Sequence, residues 1–157
     1  EGGNCGGCHL GAHTDALLTY SGLPTTYTPG NVYTITITIT DGDGAQAFDL
    51  IVSAGTLSNP SANAEINSAT EASAKDGIDL STATIFSVDW TAPSSGSVTF
   101  DFWGVSGDGM TATINDPWDH DTVSIAEVPE FPTMLIPALG MIGAVLTVLV
   151  LAKKDKK

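Results

Sequence analysis

The sequence predicts an all-β fold, an antiparallel β-sandwich, followed by a single hydrophobic helix of transmembrane type. Three observations carry this. Within Val32–Thr40, apolar residues alternate with threonine without a break from Tyr33 on, the period-two pattern of a half-buried strand. Several more short β-branched and aromatic runs follow, separated by stretches rich in Gly, Pro, Ser and Asn, as in antiparallel sandwiches. Finally, Met134–Ala152 is an uncharged run of nineteen residues ending against a lysine cluster.

The N-terminal stretch Asn4-Cys5-Gly6-Gly7-Cys8-His9 holds both cysteines of the chain. Two thiols three residues apart lie on one side of a short turn, at a spacing that reaches the two vinyl groups of a haem and forms thioethers. The histidine beside the second cysteine then lies under the iron as its proximal ligand. Cys5 and Cys8 are therefore read as the attachment points of one covalent haem c, and His9 as the proximal iron ligand. Gly6 and Gly7 suit a backbone that passes close to the porphyrin edge. A redox disulfide would call for a thioredoxin-like βαβ pattern, which the downstream sequence lacks. A structural zinc site needs two more ligands, and His13 is too close in sequence while His120 is far. A plain Cys5–Cys8 disulfide remains the alternative.

Residues 10–31 mix small, polar and turn residues with one apolar cluster at Ala16-Leu17-Leu18, which predicts a loop or short helix wrapping the haem rather than a strand. In the strand at Val32–Thr40, Tyr33, Ile35, Ile37 and Ile39 share one face. Asp41-Gly42-Asp43-Gly44 reads as a turn, since a calcium loop needs more acidic positions and a distal Glu. Further strands are expected at 47–53, 83–90 and 96–105, and weaker ones at 110–114 and 122–126. Residues 55–82, rich in Ser, Ala, Asn and Thr, read as a long excursion with one weak strand or helical turn. The expected organisation is a haem-attachment segment 1–31, a sandwich 32–128, a linker 129–133, a hydrophobic helix 134–152 and a basic cytoplasmic tail 153–157.

Charge narrows the function classes. The chain has eighteen acids, five lysines and no arginine, for a net charge of −13, and Lys75 is the only base before the terminal lysines. Such a surface cannot neutralise phosphates, which excludes nucleic acid. It can steer a basic redox partner. A nineteen-residue helix spans about 28 Å, close to the thickness of a bilayer core. The lysines mark its cytoplasmic side, so the acidic domain is expected outside a cell membrane crossed once, after removal of a signal peptide. With both cysteines on haem, stability falls to the β core and the haem.

The opposite face of the iron needs a ligand. His120 is favoured, in the polar loop Asn115–Asp121, with Trp118 available to cover the porphyrin. Its competing reading is an exposed loop histidine among acids. Met110 is the alternative ligand, and would raise the potential. His13 lies four residues after His9 and, in a helix, on the same side. It is a poor axial partner within one subunit but a candidate for a neighbour's haem. Met134 and Met141 are discounted as membrane residues. Trp90, Trp103 and Trp118 are read as core or cover.

The order of Cys-x-x-Cys-His, Tyr27-Thr28-Pro29-Gly30-Asn31-Val32-Tyr33, Ala47-Phe48-Asp49-Leu50, Ser53-Ala54-Gly55-Thr56-Leu57, Val88-Asp89-Trp90-Thr91-Ala92-Pro93 and Gly96-Ser97-Val98-Thr99-Phe100 resembles the reeler-type domain of microbial surface proteins, the choice-of-anchor group. That resemblance covers roughly residues 4–126. It implies an immunoglobulin-like antiparallel sandwich with a variable C-terminal anchor. Pro129-Glu130-Phe131-Pro132, followed by the hydrophobic run and basic end, is similar to the archaeal sorting signal named for Pro-Glu-Phe. This implies an archaeal source and processing by an archaeosortase that removes the helix.

Together these readings predict a membrane-anchored, extracytoplasmic monohaem c-type cytochrome. It would be an electron carrier rather than an enzyme, and a subunit of a larger membrane complex or a homo-oligomeric polymer, working with a redox partner protein. The alternatives are a structural or adhesive surface protein in which haem or a disulfide only stabilises the N-terminal segment, and a haem enzyme or sensor with an open iron. No Ser-His-Asp set, P-loop or paired-carboxylate constellation is present.

Overall fold

The alternation at residues 32–39 builds a strand, and nine more join it in the computed structural model, which describes residues 14, 17–40, 46–75, 84–107 and 116–128. Cys5, Cys8, His9, His13, Met110, the 41–44 turn, the expected 110–114 strand, the linker, the hydrophobic segment and the tail lie outside the described residues. The chain divides into two units, Glu1–Glu127 and Val128–Lys157, and the fold described is that of the first. Its strands are β1 Leu18–Ser21, β2 Thr26–Tyr27, β3 Val32–Ile39, β4 Gln46–Val52, β5 Thr56–Ser58, β6 Ala64–Ser68, β7 Glu71–Ala74, β8 Ile85–Thr91, β9 Ser97–Ser106 and β10 Trp118–Glu127. Among the described residues there is no helix.

Two sheets form, one of four strands in the order β1-β3-β8-β5 and one of six in the order β2-β10-β9-β4-β7-β6. Every pairing is antiparallel except the short parallel contact of β2 with β10. Alternate residues of each strand point between the sheets. Ile35, Ile37 and Ile39 of β3 and Phe86, Val88 and Trp90 of β8 meet Phe48, Leu50 and Val52 of β4 and Val98, Phe100 and Phe102 of β9 in one buried core. Each of these side chains contributes on the order of 2 kcal/mol by leaving water. Trp90 is the hub. Its ring makes edge contacts with Tyr27 and Phe100 at 5.6 and 4.9 Å, and its Nε1 donates to the Ala54 carbonyl at 3.0 Å.

Three sequence expectations require correction. Residues 10–31 were expected to lack strands, yet β1 and β2 lie there and join opposite sheets. The 55–82 excursion holds three strands, β5, β6 and β7, whose inward residues are the small Ala64 and Ala72 together with Leu57 and Ile66. The last strand starts at Trp118 rather than Thr122, so Trp118 and His120 are strand residues, not loop residues.

Candidate functional site

β10 uses its two faces differently. Asp119, buried, and Asp121, exposed, lie on the face of β10 turned towards β1 and hold it, while Trp118, His120 and Thr122 lie on the other face. Asp119 is only 7% exposed. Its Oδ2 accepts the Leu18 amide at 3.0 Å and its Oδ1 accepts the His120 amide at 2.8 Å. Asp121 Oδ2 accepts the Tyr20 hydroxyl at 2.7 Å, while the Tyr20 ring stacks on Phe102 at 4.2 Å. Burial, helped by the hydrogen bond to Asp121 and its negative charge, pushes the Tyr20 hydroxyl up to about 12. These side-chain bonds close the sandwich where β1 and β10 belong to different sheets. One of them also fixes the backbone of His120.

On the outer face, register pairs His120 with Trp103 and Thr122 with Asp101. The imidazole lies on the Trp103 indole, with centroids 3.8 Å apart and planes within 20°. Trp118 also stacks on Trp103, with centroids 6.0 Å apart. His120 Nε2 is 3.3 Å from Thr122 Oγ1 and 3.6 Å from Asp101 Oδ1. Thr122 Oγ1 in turn donates to Asp101 Oδ1 at 2.7 Å. The neighbouring outward residues Val105 and Asp49 are 5% and 9% exposed. This end of the face therefore combines two indoles, one partly exposed imidazole and acids at the margin.

Thr14 is tied to the same place. The Thr14 amide donates to the Trp118 carbonyl at 2.9 Å. Thr14 is five residues beyond His9, and five residues of extended chain span at most about 18 Å. His120 is two residues along β10 from Trp118, about 7 Å at strand rise. Thr14 is thereby held two strand residues from His120.

Were a haem held here, His120 could supply one imidazole to it and the indoles of Trp103 and Trp118 a flat apolar surface beside it. Among the described residues, no three His, Cys, Asp or Glu side chains gather to hold a metal ion unaided. Trp118 and His120, singled out in the sequence, do come together. Trp103, Asp101 and Thr122 were not foreseen as their partners. The signal lay in two alternations, Asp101-Phe102-Trp103 and Trp118-Asp119-His120-Asp121-Thr122, but only register shows that they are opposite. Trp90, by contrast, is core.

No protein-family model matches the chain, and no curated protein matches it. Solved structures do. The reeler domain of human F-spondin superposes with a TM-score of 0.53 at 19% identity, covering 75% of this chain and 92% of that one. A second structure, the Reelin-N domain of F-spondin, gives 0.53 at 20% identity, covering 76% of this chain and 90% of that one. The fold is therefore reeler-like.

Proposed function

We propose that this chain is a monohaem c-type cytochrome on the outer side of a membrane, built on a reeler-like sandwich and tethered by its C-terminal hydrophobic segment. The observation that supports the reading is the Thr14–Trp118 hydrogen bond, which holds Thr14, five residues after His9 in the sequence, on the strand bearing His120. Cys5 and Cys8 would hold the haem, His9 and His120 would be the axial pair, and Trp103 and Trp118 would shield one side. The group supplies one-electron chemistry when bound. The chain's own contribution is to fix the ligand imidazole by stacking and by the Asp119–amide bond, and to limit access of water with the two indoles. With His9 and His120 both holding the group, no position would be left for a substrate, which suits electron transfer. The acidic surface, at a net charge of −13, favours a basic redox partner. One haem cannot carry electrons over a distance, so the chain works beside a redox neighbour, in a membrane complex or as one unit of a polymer. The Pro129-Glu130-Phe131-Pro132 signal supports an archaeal surface location.

The reeler-like fold favours a second reading, a structural or adhesive surface protein in which the haem, or a Cys5–Cys8 disulfide, only stabilises the N-terminal segment. Reduced-minus-oxidised spectra of wild type and His120→Ala decide between them. The electron-transfer reading expects a low-spin wild type in both states and a high-spin variant that binds carbon monoxide. A wild type already high-spin, or a variant with an unchanged spectrum, contradicts it.

A further inference from the structure

Thr122 has a single hydroxyl proton, and the structure commits it. The 2.7 Å contact between Thr122 Oγ1 and Asp101 Oδ1 is a donation by threonine to the carboxylate oxygen. With its proton given away, Thr122 Oγ1 faces His120 Nε2 at 3.3 Å with lone pairs alone. The imidazole nitrogen must then be the donor. The relay runs Nε2–H to Thr122, and Thr122 O–H to Asp101, with the Asp101 carboxylate 3.6 Å from Nε2 as electrostatic support. A neutral imidazole protonated at Nε2 carries its free lone pair on Nδ1.

From this relay we infer that Asp101 and Thr122 are positioning residues that hold His120 as its Nε2–H tautomer and present Nδ1, not Nε2, as the metal-binding atom. The inference rests on the haem reading for the identity of the metal and on the hydrogen-bond geometry for the choice of nitrogen. Its chemical sense is that of an outer partner to a metal ligand. A histidine that donates its second N–H to a carboxylate or a group bonded to one is fixed in orientation and made a stronger donor to the metal. Stacking on Trp103 at 3.8 Å blocks rotation of the ring out of that plane, so the tautomer and the direction of Nδ1 are set together. Removing such a partner weakens the metal–ligand bond by about 10–100-fold.

The test has two independent arms. Nitrogen-15 spectra of the full chain with Cys5→Ser and Cys8→Ser, which cannot attach haem, report the tautomer of His120 directly. The inference expects a protonated Nε2 and an unprotonated Nδ1, and loss of that preference in Thr122→Val. A protonated Nδ1 overturns it. In the haem-loaded wild type, the inference expects Thr122→Val and Asp101→Asn to raise the reduction potential and to let an added ligand displace His120 about 10–100-fold more readily, with low-spin haem retained at rest. An unchanged potential and unchanged displacement in both variants also overturn it. Absence of haem from wild type would defeat the functional reading. The nitrogen spectra would still decide the relay.

Discussion

Asp119→Ala is the sharpest perturbation of the link between the N-terminal segment and β10. The carboxylate is 7% exposed and accepts two backbone amides, Leu18 at 3.0 Å and His120 at 2.8 Å. A donor left without a partner in a water-poor site costs about 1–3 kcal/mol. Leu18 is buried, so its amide bears most of that penalty, whereas the partly exposed strand around His120 lets water recover some of it. The expected loss is about 2–4 kcal/mol, a large share of the roughly 5–15 kcal/mol that holds a domain folded. Urea unfolding reads this as a midpoint lower by roughly 1–2 M at unchanged slope, given a slope of about 1–3 kcal/mol/M. Asp119→Asn keeps one acceptor oxygen and should lose about half as much. A loss under about 0.5 kcal/mol in the alanine variant, or equal losses in both variants, would refute the view that acceptor number at Asp119 clamps β1 to β10.

Two further outcomes follow from the core and from the β1 edge. Gly55 has φ +93°, and a Cβ there would meet Trp90 Nε1 and the Thr91 carbonyl oxygen, so Gly55→Ala combines backbone strain with overpacking and should cost at least about 2 kcal/mol, with altered Trp90 fluorescence; a cost near zero would contradict the close packing of Gly55 on Trp90. Tyr20, pushed up to about 12 from an ordinary value near 10, keeps its proton in the folded chain where the unfolded chain has lost it. The stabilisation is fully present below about pH 10 and is lost as pH rises towards 12, so Tyr20→Phe should show a shallower alkaline fall of the urea midpoint than wild type, and superimposable curves would rule out the Tyr20 hydroxyl, desolvated and bonded to Asp121, as its source.

The parts of the fold that could be read from the chain are those where one strand face is apolar along its length. β3, β4, β8 and β9 are such strands, and Ile35, Ile37 and Ile39 are fully buried as their alternation requires. β10 hid its first half because the positions turned towards β1 there are Asp119 and Asp121, which face the Leu18 amide and the Tyr20 hydroxyl instead of apolar side chains. The apolar period therefore begins only at Val123. β6 and β7 were obscured by small inward residues, Ala64 and Ala72, and by a register shift between Ile66 and Ser68. β1 and β2 are too short, at four and two residues, to show a period at all. In the candidate site, the residue types of Trp118 and His120 were visible, but their surroundings were not. Trp103, Asp101 and Thr122 meet them through the antiparallel register of β9 and β10, a long-range pairing that no local pattern encodes.

The central claim is that Cys5, Cys8 and His9 hold a covalent haem against the strand that bears His120. The pyridine haemochrome spectrum of the intact purified chain, taken with its mass, tests this most directly. The account predicts one c-type haem per chain, lost when Cys5 and Cys8 are both replaced by alanine. A chain whose mass shows no haem, with the two thiols joined as a disulfide, would contradict it and leave a reeler-like surface sandwich as the reading that stands.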